Sequence, residues 1–145
     1  MKKLVLFFGV FLGLNTTALA DEKSIDITRK TEQIIETCQN NYPTDEVNDK
    51  FSKITLAQKN INQCIKKQII LKAKNIFSTD LYEQFIKKLD NFETAGNEIY
   101  SLIFLDNADI SSSNELMENW IIEKRKTEML RVILADIIYN EKWAD

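Results

Sequence analysis

Two thiols are the most reactive groups in this chain of 145 residues, and no histidine accompanies them. Cys38 and Cys64 stand 26 positions apart. Two thiols without histidine make a poor zinc site, so in an oxidising compartment their simplest chemistry is to pair with each other. The other candidates for chemistry are carboxylates and hydroxyls. Asp106, Asp109, Ser111, Ser112 and Ser113 share one polar loop, DNADISSS. The serines have neither a histidine partner nor the flanking glycines of a nucleophile elbow. Asp45 and Glu46 fall at an expected helix start, where acids offset the helix dipole. No glycine-rich phosphate loop and no cluster of metal ligands occurs. General acid–base work near neutral pH draws mostly on histidine or a shifted carboxylate. The expectation is a non-enzymatic protein with no cofactor or metal that acts by binding. Two surfaces are candidates. One is the loop with its two carboxylates and three hydroxyls. The other is the cationic run Lys124, Arg125 and Lys126, within a charged stretch from Glu123 that otherwise reads as a solvated mid-section.

The first twenty residues, MKKLVLFFGVFLGLNTTALA, read as a secretory signal peptide. Lys2 and Lys3 form the positive head, residues 4–14 the apolar run, and Ala18-Leu19-Ala20 the cleavage signature. The run is too short to anchor in a bilayer. Cleavage after Ala20 removes two lysines and no acid. The net charge moves from −3 to −5, with 17 basic against 22 acidic groups, over one domain of residues 21–145. The expected location is periplasmic or secreted, with no membrane anchor left after cleavage. An acidic surface disfavours nucleic acid and anionic lipid, and favours a basic partner.

Beyond the signal there is one proline, Pro43, and one glycine, Gly96. A β-rich fold of this size needs many more turn residues. Apolar periodicity points to an all-α fold, an antiparallel bundle of four to five helices closed by one disulfide. Helix one is expected over 24–40, with Ile27, Thr31, Ile34, Ile35 and Cys38 on one face. Pro43 and Thr44 open a short helix striped by Val47, Phe51 and Ile54, with Glu46–Lys50 and Asp49–Lys53 pairs on its wet side. Thr55 and Gln58 fit a capping box before a helix to about residue 76, carrying Ile61, Cys64, Ile65 and Ile69. A Cys38–Cys64 bridge then staples two antiparallel helices. Residues 78–80 begin a helix whose stripe is Leu81, Phe85, Leu89, Phe92, Ile99 and Leu102, with Gly96 marking a close approach to a neighbour. Ser112 to Glu115 form a second capping box before the last helix. Its apolar residues are Leu116, Trp120, Ile121, Leu130, Leu134, Ile137 and Ile138, and Trp143 folds back onto the bundle.

Cys38, followed by Thr55-Leu56-Ala57-Gln58-Lys59-Asn60-Ile61-Asn62-Gln63-Cys64, and later Lys124-Arg125-Lys126-Thr127-Glu128-Met129-Leu130-Arg131, together resemble a known family. It comprises the small exported helical proteins named for the LprI lysozyme inhibitor, and the likeness spans about residues 37–135. The resemblance implies binding of lysozyme and protection of the cell wall. Where that family carries a tryptophan and an arginine before a third cysteine, this chain reads Leu89-Asp90-Asn91-Phe92-Glu93-Thr94-Ala95-Gly96. A fourth cysteine is missing too, and Lys126 replaces the family's closing arginine. Two other roles suit an exported helical domain. One is an immunity protein against a toxin delivered to the periplasm. The other is an acid-stress chaperone, since 22 carboxylates swing the charge strongly positive below about pH 4.

Overall fold

A computed structural model describes the backbone of residues 16–105 and 112–143, and the side chains of residues 22–103 and 115–141. Four long helices account for these residues: α1 (Thr16–Asn40), α2 (Phe51–Ile76), α3 (Thr79–Leu105) and α4 (Ser112–Trp143). No strand occurs among them. Residues 1–15 of the expected signal and residues 106–111 of the polar loop lie outside the described residues. Helix α1 starts at Thr16 rather than near residue 24, because residues 16–23 contain no breaker to stop it.

The contacts define a flattened bundle. Gln58 meets Thr127, and Lys72 meets Glu141, 14 residues further along both helices. Helices α2 and α4 therefore run parallel as a central pair, with the most extensive interface among the described residues. Helices α1 and α3 lie on opposite sides of that pair, each touching both members and neither touching the other. Cys38 and Cys64 are bridged with Cα atoms 5.7 Å apart. Lys30 and Lys72, each eight positions from its cysteine in opposite directions, line one cavity. Helix α1 is therefore antiparallel to α2, as expected of a stapled pair.

Isoleucine and leucine build the core. Ile61, Ile65, Ile69 and Ala73 of α2 face Leu130, Leu134, Ile137 and Ile138 of α4, with Ile35 and Cys38 of α1 closing one side. Spacings of three and four residues put these side chains on single helix faces. Each buried side chain contributes about 1.5–3 kcal/mol relative to exposure. Among the described side chains, helix α3 contributes only Leu89 to the buried core.

Three expectations about local structure give way. The short helix after Pro43 does not form, and Val47 is 90% exposed. The Asp45 carboxylate accepts hydrogen bonds from the amides of Val47 and Asn48, while Asp49 accepts from the Asp45 amide. These side-chain bonds hold a turn in place of a helix. Of the two expected ion pairs, Asp49–Lys53 forms at 2.7 Å, whereas Glu46 reaches across to Lys124. The Thr55–Gln58 capping box is also absent, because α2 begins at Phe51. Phe51 packs on Trp120 with ring centroids 5.9 Å apart, and Ile54 is buried. Packing onto α4 thus sets the start of α2 one turn before the cap signal. Finally, the expected stripe of α3 is only in part its buried face. Phe85 and Leu89 of that stripe dock on the bundle together with Tyr82, and Gly96 lies beside the tip of Met129. Leu81, Phe92, Ile99 and Leu102 are exposed. Gly96 does mark a close approach: a Cβ there would lie 2.9 Å from Met129 Cε. Helix α4 opens at Ser112, at the expected boundary, and runs through Trp143, whose side chain lies outside those described.

Candidate functional site

Where the α2–α4 seam leaves its aliphatic half, it turns polar. Helix α2 presents Gln58, Asn62 and Lys66 at i, i+4 and i+8, on one face. Helix α4 presents Glu123, Lys126 and Thr127. Asn62 is 3% exposed and Glu123 7%. The Asn62 Nδ2 donates to the Glu123 carbonyl and to its Oε2, both at 2.9 Å. The Thr127 hydroxyl donates to Asn62 Oδ1 at 2.6 Å and accepts from Gln58 Nε2 at 2.7 Å. Lys126 Nζ lies 3.2 Å from the other Glu123 oxygen. Every polar group in this chain of contacts has a partner, the condition under which a buried polar group is tolerated.

Helix α3 closes the site from the side. Lys66 donates to Asp90 at 2.6 Å and also to Glu93. Partial burial pulls the Lys66 pKa down, but the hydrogen bonds to Asp90 and Glu93 outweigh it, and the group stays above its ordinary value. Lys66 is a fixed ammonium donor at neutral pH and not a base. A cavity of about 310 Å³ opens here, with Lys59, Asn62, Lys66, Glu93, Glu123 and Lys126 in its walls. Alternating donors and acceptors suit it to a polar side chain from a partner. On the α1 side of the seam, a cavity of about 450 Å³ lies over Ile34 and Ile138 and is spanned by the Lys72–Glu141 pair at 2.7 Å.

The residues expected from sequence to contact a partner are dispersed. Asp106, Asp109 and Ser111 lie outside the described residues, and Ser112 and Ser113 form the first turn of α4. Lys124 pairs with Glu46 at 2.7 Å and stacks 4.4 Å above the Trp120 ring. Lys126 turns inward to Glu123, while Arg125 is exposed. The stretch from Glu123 is therefore not a solvated mid-section, since its first residue is core. Sequence reasoning passed over Gln58, Asn62, Lys66, Glu93 and Thr127. A signal was present: Glu123 and Thr127 precede Leu130 and Leu134 by seven residues each, so they hold core positions with polar side chains.

No helix among the described residues is long and apolar enough to cross a membrane. None of the described residues form a group of three or more metal-ligating side chains. The chain matches no family model, no curated protein and no solved structure.

Proposed function

We propose that this is an exported binding protein that blocks a basic wall hydrolase of the lysozyme class and catalyses no reaction. The observation that carries the reading is the Cys38–Cys64 bridge. Cys38 is buried in the core and closed against Cys64, an arrangement that forms and persists in oxidising compartments. Export fits the apolar leader, and the acidic balance of the remaining chain steers encounter with a basic protein. The hydrolase class rests on the resemblance of residues 37–135. The contact residues in this reading are Asp106, Asp109 and Ser111 to Ser113, a polar loop suited to a cationic cleft.

The test is residual lysozyme activity against the purified, bridged protein. Inhibition saturates near equal molarity, weakens as salt rises, and falls when Asp106→Asn and Asp109→Asn are combined. Full lysozyme activity at large molar excess, across several lysozyme types, overturns the proposal.

A further inference from the structure

Helix α2 carries six lysines and no acidic residue over its 26 positions. An even spread of the chain's 22 acids would place about four there. The negative net charge is therefore an average over a segregated surface. Three of the lysines are neutralised within the protein: Lys53 by Asp49, Lys66 by Asp90 and Glu93, and Lys72 by Glu141. The other three, Lys59, Lys67 and Lys74, are exposed and have no ion-pair partner among the described residues. We propose that these three form a binding stripe for a linear polyanion, a polymer bearing a phosphate or carboxylate on each repeat unit.

Helix geometry sets them in one row. At 100° and 1.5 Å per residue, Lys59, Lys67 and Lys74 lie within about 80° of one another, about 12 and 10 Å apart along the axis. Gln63 falls on the same arc between the first two and is exposed. The apolar stripe of α2, with Ile61, Ile65 and Ile69, is buried in the core. Among the described residues α1 and α3 do not touch each other, so the row is open to solvent between them.

Charge and shape choose the occupant. A small anion meets one lysine of a row about 22 Å long, whereas a polymer meets all three and its contacts reinforce one another. Lysine presents a point charge on a flexible stem, so the row reads charge density and not a fixed spacing. No aromatic residue stands in it, which leaves a base or a sugar ring nothing to stack on. An anionic membrane fits less well. An interfacial helix inserts an apolar face, and that face of α2 is already buried; Leu56 and Leu71, both exposed, are too small an area to replace it. At physiological salt the acids elsewhere on the chain are screened beyond about 8 Å, so the row acts locally.

Fluorescence anisotropy of labelled inorganic polyphosphate and of labelled polygalacturonate, each titrated with the bridged protein, tests the proposal. Binding of both assigns the row to polyanions in general, and binding of one alone assigns it to phosphate or to carboxylate polymers. Three contacts at about 0.7 each give a log–log salt slope near 2, so raising salt from about 50 to 200 mM weakens binding roughly 16-fold. Lys59→Gln, Lys67→Gln and Lys74→Gln combined weaken it at least ~30-fold. Helical circular dichroism is unchanged, since glutamine matches lysine in helix propensity. Lys67→Gln with Lys74→Gln weakens binding about 10-fold. Lys87→Gln with Lys88→Gln, two exposed lysines of α3, removes the same charge and changes binding about twofold or less. Failure of both polymers to bind at about 50 mM salt overturns the proposal, and capture by phosphatidylglycerol vesicles in that case assigns the row to a membrane instead. An equal loss from the α2 and α3 pairs also overturns it, because net charge and not this row would then govern binding.

Discussion

Replacing Asn62 by leucine keeps the branched shape of the side chain and removes the donor that Glu123 relies on. The Glu123 carboxylate sits in the α2–α4 seam with two partners, Asn62 Nδ2 at 2.9 Å and Lys126 Nζ at 3.2 Å. A hydrogen bond to a charged group contributes about 1.5–3 kcal/mol, and a buried acceptor left short of its donor forfeits most of that. Thr127 loses its acceptor on Asn62, but the Glu123 carbonyl lies 3.1 Å away and takes its place. Asn62→Leu therefore costs about 2–3 kcal/mol. Glu123→Leu alone costs less, about 1 kcal/mol, because Asn62 keeps the Glu123 carbonyl. The double variant puts leucine against leucine across the seam and lies within about 1 kcal/mol of wild type, as paired apolar replacements of buried polar groups generally do. The coupling energy is then at least about 2–3 kcal/mol. Urea unfolding reads it directly. With a slope of about 1.5 kcal/mol per molar, Asn62→Leu lowers the midpoint by about 1.3–2 M, and the double variant recovers most of the fall. Additive losses in the double variant would refute the claim that the two residues act as a pair. A midpoint for Asn62→Leu within about 0.3 M of wild type would refute the claim that the carboxylate depends on this donor.

Three further outcomes follow from other parts of the fold. Cys38→Ala with Cys64→Ala removes a crosslink over a 26-residue separation, costs about 3.5 kcal/mol on the chain-entropy account, and lowers the calorimetric melting midpoint by roughly 10–15 °C. Gly96→Ala presses only on the mobile end of Met129 and gains up to ~1 kcal/mol of helix propensity, so its melting point equals or exceeds wild type; Gly96→Leu overpacks the α3–α4 contact and loses about 1–3 kcal/mol. Hydrogen bonds from the Asn48 side chain, then from the Val47 and Asn48 amides, hold the Asp45 carboxyl below its ordinary 3.8, and the Lys53 side chain, then the Asp45 amide, do the same for Asp49. Both carboxyls are ionised in the folded turn, so their support is present above about pH 4 and is lost as pH falls through the lowered values. Val47 and Asn48 amide resonances hold position down to pH 4 and move below it, and Asp45→Ala moves the same peaks at pH 7.

Legibility from sequence followed the source of the information. The all-α class, the bridge and the ends of α1 and α2 rest on breakers and periodicity, which are local. Asn40 and Ile76 end helices because a turn sequence follows each one. The start of α2 was not legible: Phe51 finds Trp120 on a helix 69 residues away, and that contact outweighs a local cap signal at Thr55. The face of α3 was half legible for a related reason: Phe85 and Leu89 meet the bundle as expected, while the other four residues of the stripe do not. Leucine and phenylalanine mark two faces of that helix, and periodicity alone does not say which one meets the bundle. The polar cluster was half visible. Glu123 breaks the apolar stripe of α4 where a core residue belongs, but its partner Asn62 lies beside an intact isoleucine stripe with nothing to single it out.

The polar cluster also bears on why this chain settles into one packing. A seam of Ile61, Ile65, Ile69 and Ala73 against Leu130, Leu134 and Ile138 is similar enough along its length to accept a shift of one heptad. Such a shift would set Asn62 opposite Leu130, among apolar side chains, and would take from Glu123 the amide that donates to it. Leaving Asn62 buried and unpaired costs about 1–3 kcal/mol, a large fraction of the stability of a domain of this size. Only the observed register lets Asn62 meet both Glu123 and Thr127. The bridge fixes α1 to α2, but nothing covalent fixes α4, and the polar contacts supply that alignment. The double leucine variant therefore separates two quantities. It keeps most of the stability yet broadens the amide resonances of α4, because neighbouring registers then lie close in energy. Sharp, wild-type-like α4 resonances in that variant would place register control elsewhere, with the aliphatic packing itself.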